Sequence, residues 1–302
     1  MKVGIIGLGR MGSAIAYRMV KGGHHVVAFD QSEYARNDAQ VFGVEIADSI
    51  EDLAGKVHIF WLMVPAGDIT DNVLNDLLAV MDHGDIVIDG GNSFYKNSIA
   101  RSQKVQQKNG HFLDCGTSGG VRGRHDGFCL MIGGPQDIYE KVKPIFASVS
   151  IEGGFAHIGP VGSGHYVKMV HNGIEYGLMQ AYAEGLHLIK EGAFKSADID
   201  LHEVTSIWNK NAVIRSFLLE LTMEVFEKDQ KLKTISGEVA ESGMGKWTVD
   251  ESHDQNIPVK VIEESLKVRS WSRETGGNFG TKIVAMMRKK FGGHAVKKVD
   301  NK

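Results

Sequence analysis

The sequence is short of cysteine, of net charge and of long apolar runs, and each shortage removes a class of explanation. Only two cysteines occur, Cys115 and Cys129, with no C-x-x-C spacing. That argues against a disulfide framework or a thiolate metal site and points to a reducing, cytoplasmic setting. The 34 Lys and Arg nearly balance the 37 Asp and Glu, so no global field favours nucleic acid or an anionic membrane. Any anionic ligand must be met by local cations. The apolar start MKVGIIGLG is too short and glycine-broken for a membrane span and lacks a signal-peptide cleavage pattern, so it reads as a buried strand. No histidine pair has H-E-x-x-H spacing, and no metal is expected; His24, His25 and His165 read as surface or packing residues. Glycine, by contrast, is abundant at 37 residues without periodicity, which suits tight loops around ligands rather than a collagen-like or disordered chain.

The 302-residue length suggests two domains. In the first half, the β-branched runs VGIIG, HVVAFD, VHIFWLMV and DIVIDG alternate with amphipathic stretches, the pattern of βαβ units. HFLDCG, FCLMIGG and FAHIG follow with little helix expected between them, as extra strands on the sheet. After Gly162 the texture turns helical, and a proline-free stretch from about Ser163 to Lys190 predicts a helix about 40 Å long, ended by Gly192. TSIWNKNAVIRSFLLELTMEVFEK, IPVKVIEESLKVRSWS and KIVAMMRKK read as further helix. The expected architecture is therefore an α/β Rossmann domain, doubly wound with a mostly parallel sheet, over 1–162, followed by an all-α domain over 163–302.

Gly7-Leu8-Gly9-Arg10-Met11-Gly12 matches G-x-G-x-x-G directly after the first strand and at the start of a helix. The first glycine permits the turn, the second lets backbone approach a pyrophosphate, and the third lets helix and strand pack closely. The second strand ends in Asp30, where a carboxylate accepts hydrogen bonds from adenosine ribose hydroxyls and repels a 2′-phosphate. Gln31 and Ser32 bring no compensating cation, so NAD is favoured over NADP. Arg36, six residues on, could still reach a phosphate, and Asp30 could alternatively serve as a helix N-cap or turn residue.

Within GSGHYVKMVHNGIEYGLMQ, Lys168, Asn172 and Glu175 fall four and seven residues apart, on one stripe of a helix, with Tyr176 and His171 flanking it. A solvated face with a Lys–Glu pair would look the same. The flanking glycines and the polar residues between them favour a lysine base placed near a hydroxyl, with a carboxylic acid within reach.

VKMVHNGIEYG, together with IDGGNS at Ile88 to Ser93, SGG at Ser118 to Gly120, and GKWT at Gly245 to Thr248, closely resembles the decarboxylating 6-phosphogluconate dehydrogenases, over almost the whole chain. The resemblance implies Lys168 as general base and later acid, and Glu175 as the acid that protonates the enediol. It implies Asn92, Ser118, Gly119, Gly120, His171 and Asn172 around the carboxylate and hydroxyl end of 6-phosphogluconate, with Tyr176 and Arg269 as phosphate ligands. The expected cofactor contacts are Gly7, Leu8, Gly9, Arg10, Met11, Gly12, Asp30, Val64 and Asn92.

Arg288 and His294 stand six apart around Phe291-Gly292, like the tail residues that family members insert into a neighbouring subunit, so a homodimer or homotetramer is expected. Two departures stand out. Longer members carry Lys-Gly-Thr-Gly-Lys-Trp where this chain has Ser242-Gly243-Met244-Gly245-Lys246-Trp247, so two phosphate contacts are missing or replaced. Longer members also duplicate the helical unit, and this chain has one copy. The alternatives are a β-hydroxyacid dehydrogenase of the 3-hydroxyisobutyrate type, which usually follows its lysine with two asparagines, and a non-catalytic NAD-sensing protein.

Overall fold

The computed structural model describes residues 1–299; the last three positions of the expected 163–302 domain lie outside the described residues. The amino-terminal part runs β1 (Lys2–Ile6), α1 (Arg10–Lys21), β2 (His25–Phe29), α2 (Glu33–Gln40), β3 (Glu45–Ile46), α3 (Ile50–Ala54), β4 (Ile59–Leu62), α4 (Asp68–Val80), β5 (Ile86–Asp89) and α5 (Tyr95–Gln107). It continues through β6 (His111–Ser118), α6 (Gly123–Asp126), β7 (Phe128–Gly133), α7 (Gln136–Val149) and β8 (Ser150–Gly159). The strands form one sheet in the order β3-β2-β1-β4-β5-β6-β7-β8. Only β6 and β7 pair antiparallel, so the sheet is mostly parallel and doubly wound, as the alternating pattern predicts.

Strand alternation builds two cores. Val3, Ile5, Trp61 and Ile88 join one apolar cluster, while their neighbours Ile6, Phe60, Leu62 and Val87 join another. A period of two sends successive residues to opposite faces, and helices on both faces keep the strands apolar throughout.

Two elements depart from expectation. β3 is only two residues long, pairing with Val27 and Ala28, too short to leave a periodic signal. The region between β7 and β8 holds the 14-residue helix α7 despite Pro144. Its buried Ile138, Val142, Ile145, Phe146 and Val149 recur at helical spacing, and burial of that stripe outweighs the backbone bond a proline removes.

The remainder is helical: α8 (Ser163–Glu191), α9 (Leu201–Asn211), α10 (Phe217–Lys228), α11 (Met244–Asp254), α12 (Lys260–Thr275) and α13 (Phe279–Gly292). The single long helix expected over α9 and α10 is broken at Ala212 to Ser216, where Ser216 caps α10 by accepting from Leu219 N–H at 3.1 Å. Met179, Ala183, Leu201, Phe226, Ile283 and Met287 share the core of this part. The chain divides into compact units of residues 1–168 and 169–302, within α8. Among the described residues, no helix is long and apolar enough to cross a membrane.

Candidate active site

The glycine turn follows from steric demand. Gly7 has φ of 99°, and a Cβ there would sit 2.6 Å from the Met63 carbonyl oxygen; one on Gly12 would sit 2.0 Å from the Gly7 oxygen. Both positions require glycine. Gly9, at the N-cap of α1, faces open space, and α1 has no side-chain cap and no acid in its first turn. The helix ladder begins with Ser13 N–H donating to the Gly9 carbonyl at 2.9 Å. The amides ahead of it therefore sit at the positive end of the helix dipole, an anion site by construction.

Asp30 is fixed beside this turn. Its Oδ2 accepts from Leu8 N–H at 2.6 Å and its Oδ1 from Ser32 N–H at 2.7 Å. The N-cap of α2 is Ser32, whose side chain accepts from Ala35, so the capping alternative for Asp30 does not hold. Arg36 folds back on the main chain, its Nη1 donating to the carbonyls of Asp30 at 2.5 Å and Gln31 at 3.3 Å. A cavity of about 690 Å³ is lined by Gly7, Phe29, Asp30, Val64 and Pro65. It brings three expected cofactor residues together, and its lining mixes carboxylates with apolar groups such as Phe29, Val64 and Ile69, which suits an adenosine. Leu8, Gly9, Arg10, Met11 and Gly120 line a second cavity of about 430 Å³, which Arg124 also borders. The groups present fit a dinucleotide.

Other expected residues occupy loops at the strand ends. Asn92 is exposed, in a loop pinned by Asp89, whose Oδ1 accepts from Gly91 N–H at 3.1 Å and whose Oδ2 accepts from Ser93 Oγ at 2.8 Å. Arg101, which the sequence did not single out, closes this loop by donating to Asp89 at 3.0 Å and to Ser93 at 2.8 Å. Ser118 ends β6, and Gly119 and Gly120 turn with φ of 134° and 56°.

Lys168, in the second turn of α8, is 6% exposed. Its root rests on β6, where a Cβ on Gly116 would stand 2.5 Å from Lys168 Cβ. Farther along the same helix, His171 Nδ1 lies 3.0 Å from Asn172 Oδ1 and 4.0 Å from Glu175 Oε2.

The helical unit holds an unusual pair of cations. The Arg269 guanidinium lies 3.3 Å from the centroid of the Tyr176 ring, and both its Nη1 and Nη2 are buried with no hydrogen-bond partner. Burial lowers its pKa to about 10, Tyr176 opposes that shift, and repulsion from Arg288 adds to it. Arg288 is lowered as well, first by burial, with Tyr176, Glu175 and Glu241 acting the other way. Two desolvated guanidiniums that repel one another, one with unused donors, form a site for a dianion.

Arg288 lies in α13, within the helix expected over KIVAMMRKK, and is 6% exposed, because the apolar residues around it, Ile283, Val284 and Met287, belong to the helical core. His294 follows the end of α13, its ring edge-on to Phe291 at 6.0 Å. Met244, which stands in place of a family threonine, is buried in α11 and offers packing. Ser242 N–H reaches the Tyr176 hydroxyl at 3.4 Å. Lys246 is tied to Asp250 at 2.8 Å.

An α/β unit of this topology with a glycine turn after β1 is the architecture of a dinucleotide-dependent oxidoreductase. Residues 2–159 match the NAD binding domain of 6-phosphogluconate dehydrogenase, and residues 164–301 match the 6-phosphogluconate dehydrogenase C-terminal domain. The NAD(+)-dependent, decarboxylating 6-phosphogluconate dehydrogenase of Haloferax volcanii is 45% identical, covering 100% of both chains. The solved 6-phosphogluconate dehydrogenase of Plasmodium falciparum aligns with a TM-score of 0.82 at 31% identity, over 91% of this chain and 62% of that one. A 3-hydroxyisobutyrate dehydrogenase from Salmonella typhimurium, at 21% identity and a TM-score of 0.77 over 94% of this chain and 99% of its own, shares the fold. The chain belongs to the 6-phosphogluconate dehydrogenase family.

Proposed function

We propose that this protein oxidises and decarboxylates 6-phosphogluconate to ribulose 5-phosphate and carbon dioxide, with reduction of NAD. The observation that carries this reading is the buried Arg269, stacked on Tyr176 with both terminal nitrogens unpartnered. A phosphorylated substrate gives those donors acceptors, whereas an unphosphorylated β-hydroxyacid leaves them unsatisfied. That separates the reading from the 3-hydroxyisobutyrate type, and retention of Lys168 and Glu175 separates it from a non-catalytic NAD sensor.

In the reaction, Lys168 accepts the proton of the carbon-3 hydroxyl. NAD held by the glycine turn and Asp30 would supply the acceptor for the hydride from the same carbon. The resulting β-keto acid loses carbon dioxide as protonated Lys168 polarises the ketone, and Glu175 then protonates carbon 1 of the enediol. His171, 3.0 Å from Asn172, would orient the hydroxyl end of the substrate together with Asn92 and the Ser118-Gly119-Gly120 turn. Tyr176, Arg269 and Arg288 would hold the phosphate. Gly7 to Gly12, Asp30 and Asn92 would hold the cofactor, with Val64 on the wall of its cavity.

We further assign the enzyme to the cytoplasm and to a pentose phosphate type of pathway, place its domain boundary between residues 162 and 163, and infer a homodimer or homotetramer. Exposed Ile174, Leu178, Val261 and Trp271 on the helical unit support a covered surface there. The segment with His294 is tied to its own chain, Ser236 N–H donating to the Lys297 carbonyl at 2.8 Å and Val299 N–H to the Thr234 carbonyl at 3.1 Å, so reaching a neighbouring subunit requires those bonds to open. The direct test is release of carbon dioxide from 6-phosphogluconate by purified protein with NAD. Turnover with loss of all activity in Lys168→Ala is the expected result. No turnover, or equal turnover of unphosphorylated 3-hydroxyisobutyrate, would overturn the reading.

A further inference from the structure

Three buried polar residues outside the expected site converge on the start of α8. Asp114 on β6 is fully buried. Its Oδ1 accepts from Gly162 N–H at 2.6 Å and its Oδ2 from His165 N–H at 2.7 Å. One carboxylate thus caps two amides at the positive end of a 29-residue helix, from a strand 48 and 51 residues away. His165, 1% exposed, turns its ring toward α5, where Nδ1 lies 2.7 Å from Ser98 Oγ, itself buried. Its Nε2 is buried without a partner.

The first turn of α8 also lies tight on the sheet. A Cβ on Gly164 would stand 2.3 Å from the Met131 carbonyl oxygen, and one on Gly133 would stand 2.5 Å from Asp114 Oδ1. Lys168 follows His165 by three residues, one turn on, and its Cβ lies over Gly116 of the same strand that bears Asp114.

We infer that Asp114, His165 and Ser98 form a positioning device for Lys168: a buried chain from β6 through the first turn of α8 to α5 that fixes where the base stands. This rests on the reading of Lys168 as the base. The histidine acts through its Nδ1 bond to Ser98, not by touching substrate. Loss of that bond lets the first turn shift, and a displacement well under the length of a bond slows proton and hydride transfer while leaving binding intact.

The experiment compares Ser98→Ala, His165→Gln and His165→Asn with Lys168→Ala in the full-length enzyme. Asparagine places a polar atom where Nδ1 stands, and glutamine places one where Nε2 stands. Ser98→Ala and His165→Gln are expected to lower kcat about tenfold, with KM for NAD and 6-phosphogluconate within about twofold, while His165→Asn stays within about threefold of the parent. The decisive readout is the primary isotope effect with substrate deuterated at carbon 3. It should rise in the two impaired variants, because the chemical step has become slower relative to release. A merely structural loss lowers the active fraction and leaves the isotope effect unchanged, and that result would overturn the inference. So would parent-like kcat in Ser98→Ala and His165→Gln, or equal impairment of His165→Asn and His165→Gln. Activity surviving in Lys168→Ala would instead remove the base reading itself and the inference with it.

Discussion

The α/β unit meets negative charge with backbone, and the helical unit meets it with side chains. Around Gly7 to Gly12 the favourable field comes from the start of α1, with close approach allowed by the missing Cβ atoms. The carboxylate there, Asp30, is held by main-chain N–H groups at 2.6 and 2.7 Å, and Arg10 and Arg124 border the second cavity. In the helical unit the field comes from Arg269 and Arg288, carried on α12 and α13 and kept out of water. The backbone site costs little when empty, because its amides are the ordinary ends of a helix. The guanidinium site carries a desolvation penalty until an anion arrives. The two regions should therefore respond differently to substitution.

The sharpest break in the comparison lies within the glycine turn. Gly12→Ala forces a methyl against the Gly7 carbonyl at 2.0 Å and should destabilise the protein by about 3 kcal/mol, measured by denaturant unfolding. Gly9→Ala has open space around it; it should leave stability unchanged and weaken NAD binding, measured by fluorescence titration. Equal loss of stability in the two would show that the turn is not divided between packing and ligand approach.

A smaller effect is expected at Asp30. Asp30→Ala removes the carboxylate that Leu8 N–H engages and should weaken NAD by about tenfold, about 1.4 kcal/mol, while narrowing discrimination against NADP. Arg36, released from the Asp30 and Gln31 carbonyls, would still be present to meet a 2′-phosphate. Unchanged affinities for both nucleotides would remove Asp30 from cofactor selection.

In the helical unit, loss of function should come with a gain in stability. Arg269→Met removes a desolvated, unpartnered cation and should raise the Tm of the ligand-free protein by about 3 °C. The pH dependence has a definite sign. Burial lowers the folded-state pKa to about 10, below the ordinary guanidinium value, so above pH 10 the unfolded chain binds the extra proton, and the penalty is fully present below the folded value. It is relieved as pH rises from about 10 toward the unfolded value. The Tm difference between Arg269→Met and the parent should accordingly be largest near neutrality and shrink above pH 10 in calorimetric scans. A variant that is less stable at neutral pH would mean the guanidinium contributes packing that outweighs its desolvation.

The contrast also explains what could be read in advance. Val3 to Ile6, Gly7 to Gly12 and Asp30 are local signals, set by strand periodicity and by a turn that tolerates few residues. The two-residue β3 left no pattern, Pro144 masked the helical spacing of α7, and the break between α9 and α10 hid in a capping serine. Arg269 and Arg288 came from resemblance alone, since nothing near either residue says that it is buried. The helix over KIVAMMRKK is legible, but that Arg288 is buried shows only once Ile283, Val284 and Met287 are seen in the core. His165 was read as surface or packing; it is buried, and its partner Ser98 lies 67 residues away, beyond any sequence motif.

In the proposed enzyme the buried guanidinium of the helical unit selects a phosphorylated sugar acid, and the α/β unit binds NAD without it. The most direct measurement is the ratio of kcat/KM for 6-phosphogluconate over unphosphorylated gluconate, in the parent and in Arg269→Met, with the NAD dissociation constant measured in both. The account predicts that the ratio falls by about 100-fold, about 2.8 kcal/mol, while NAD binding is unchanged. A ratio that survives the substitution, or NAD affinity that falls with it, would contradict the account.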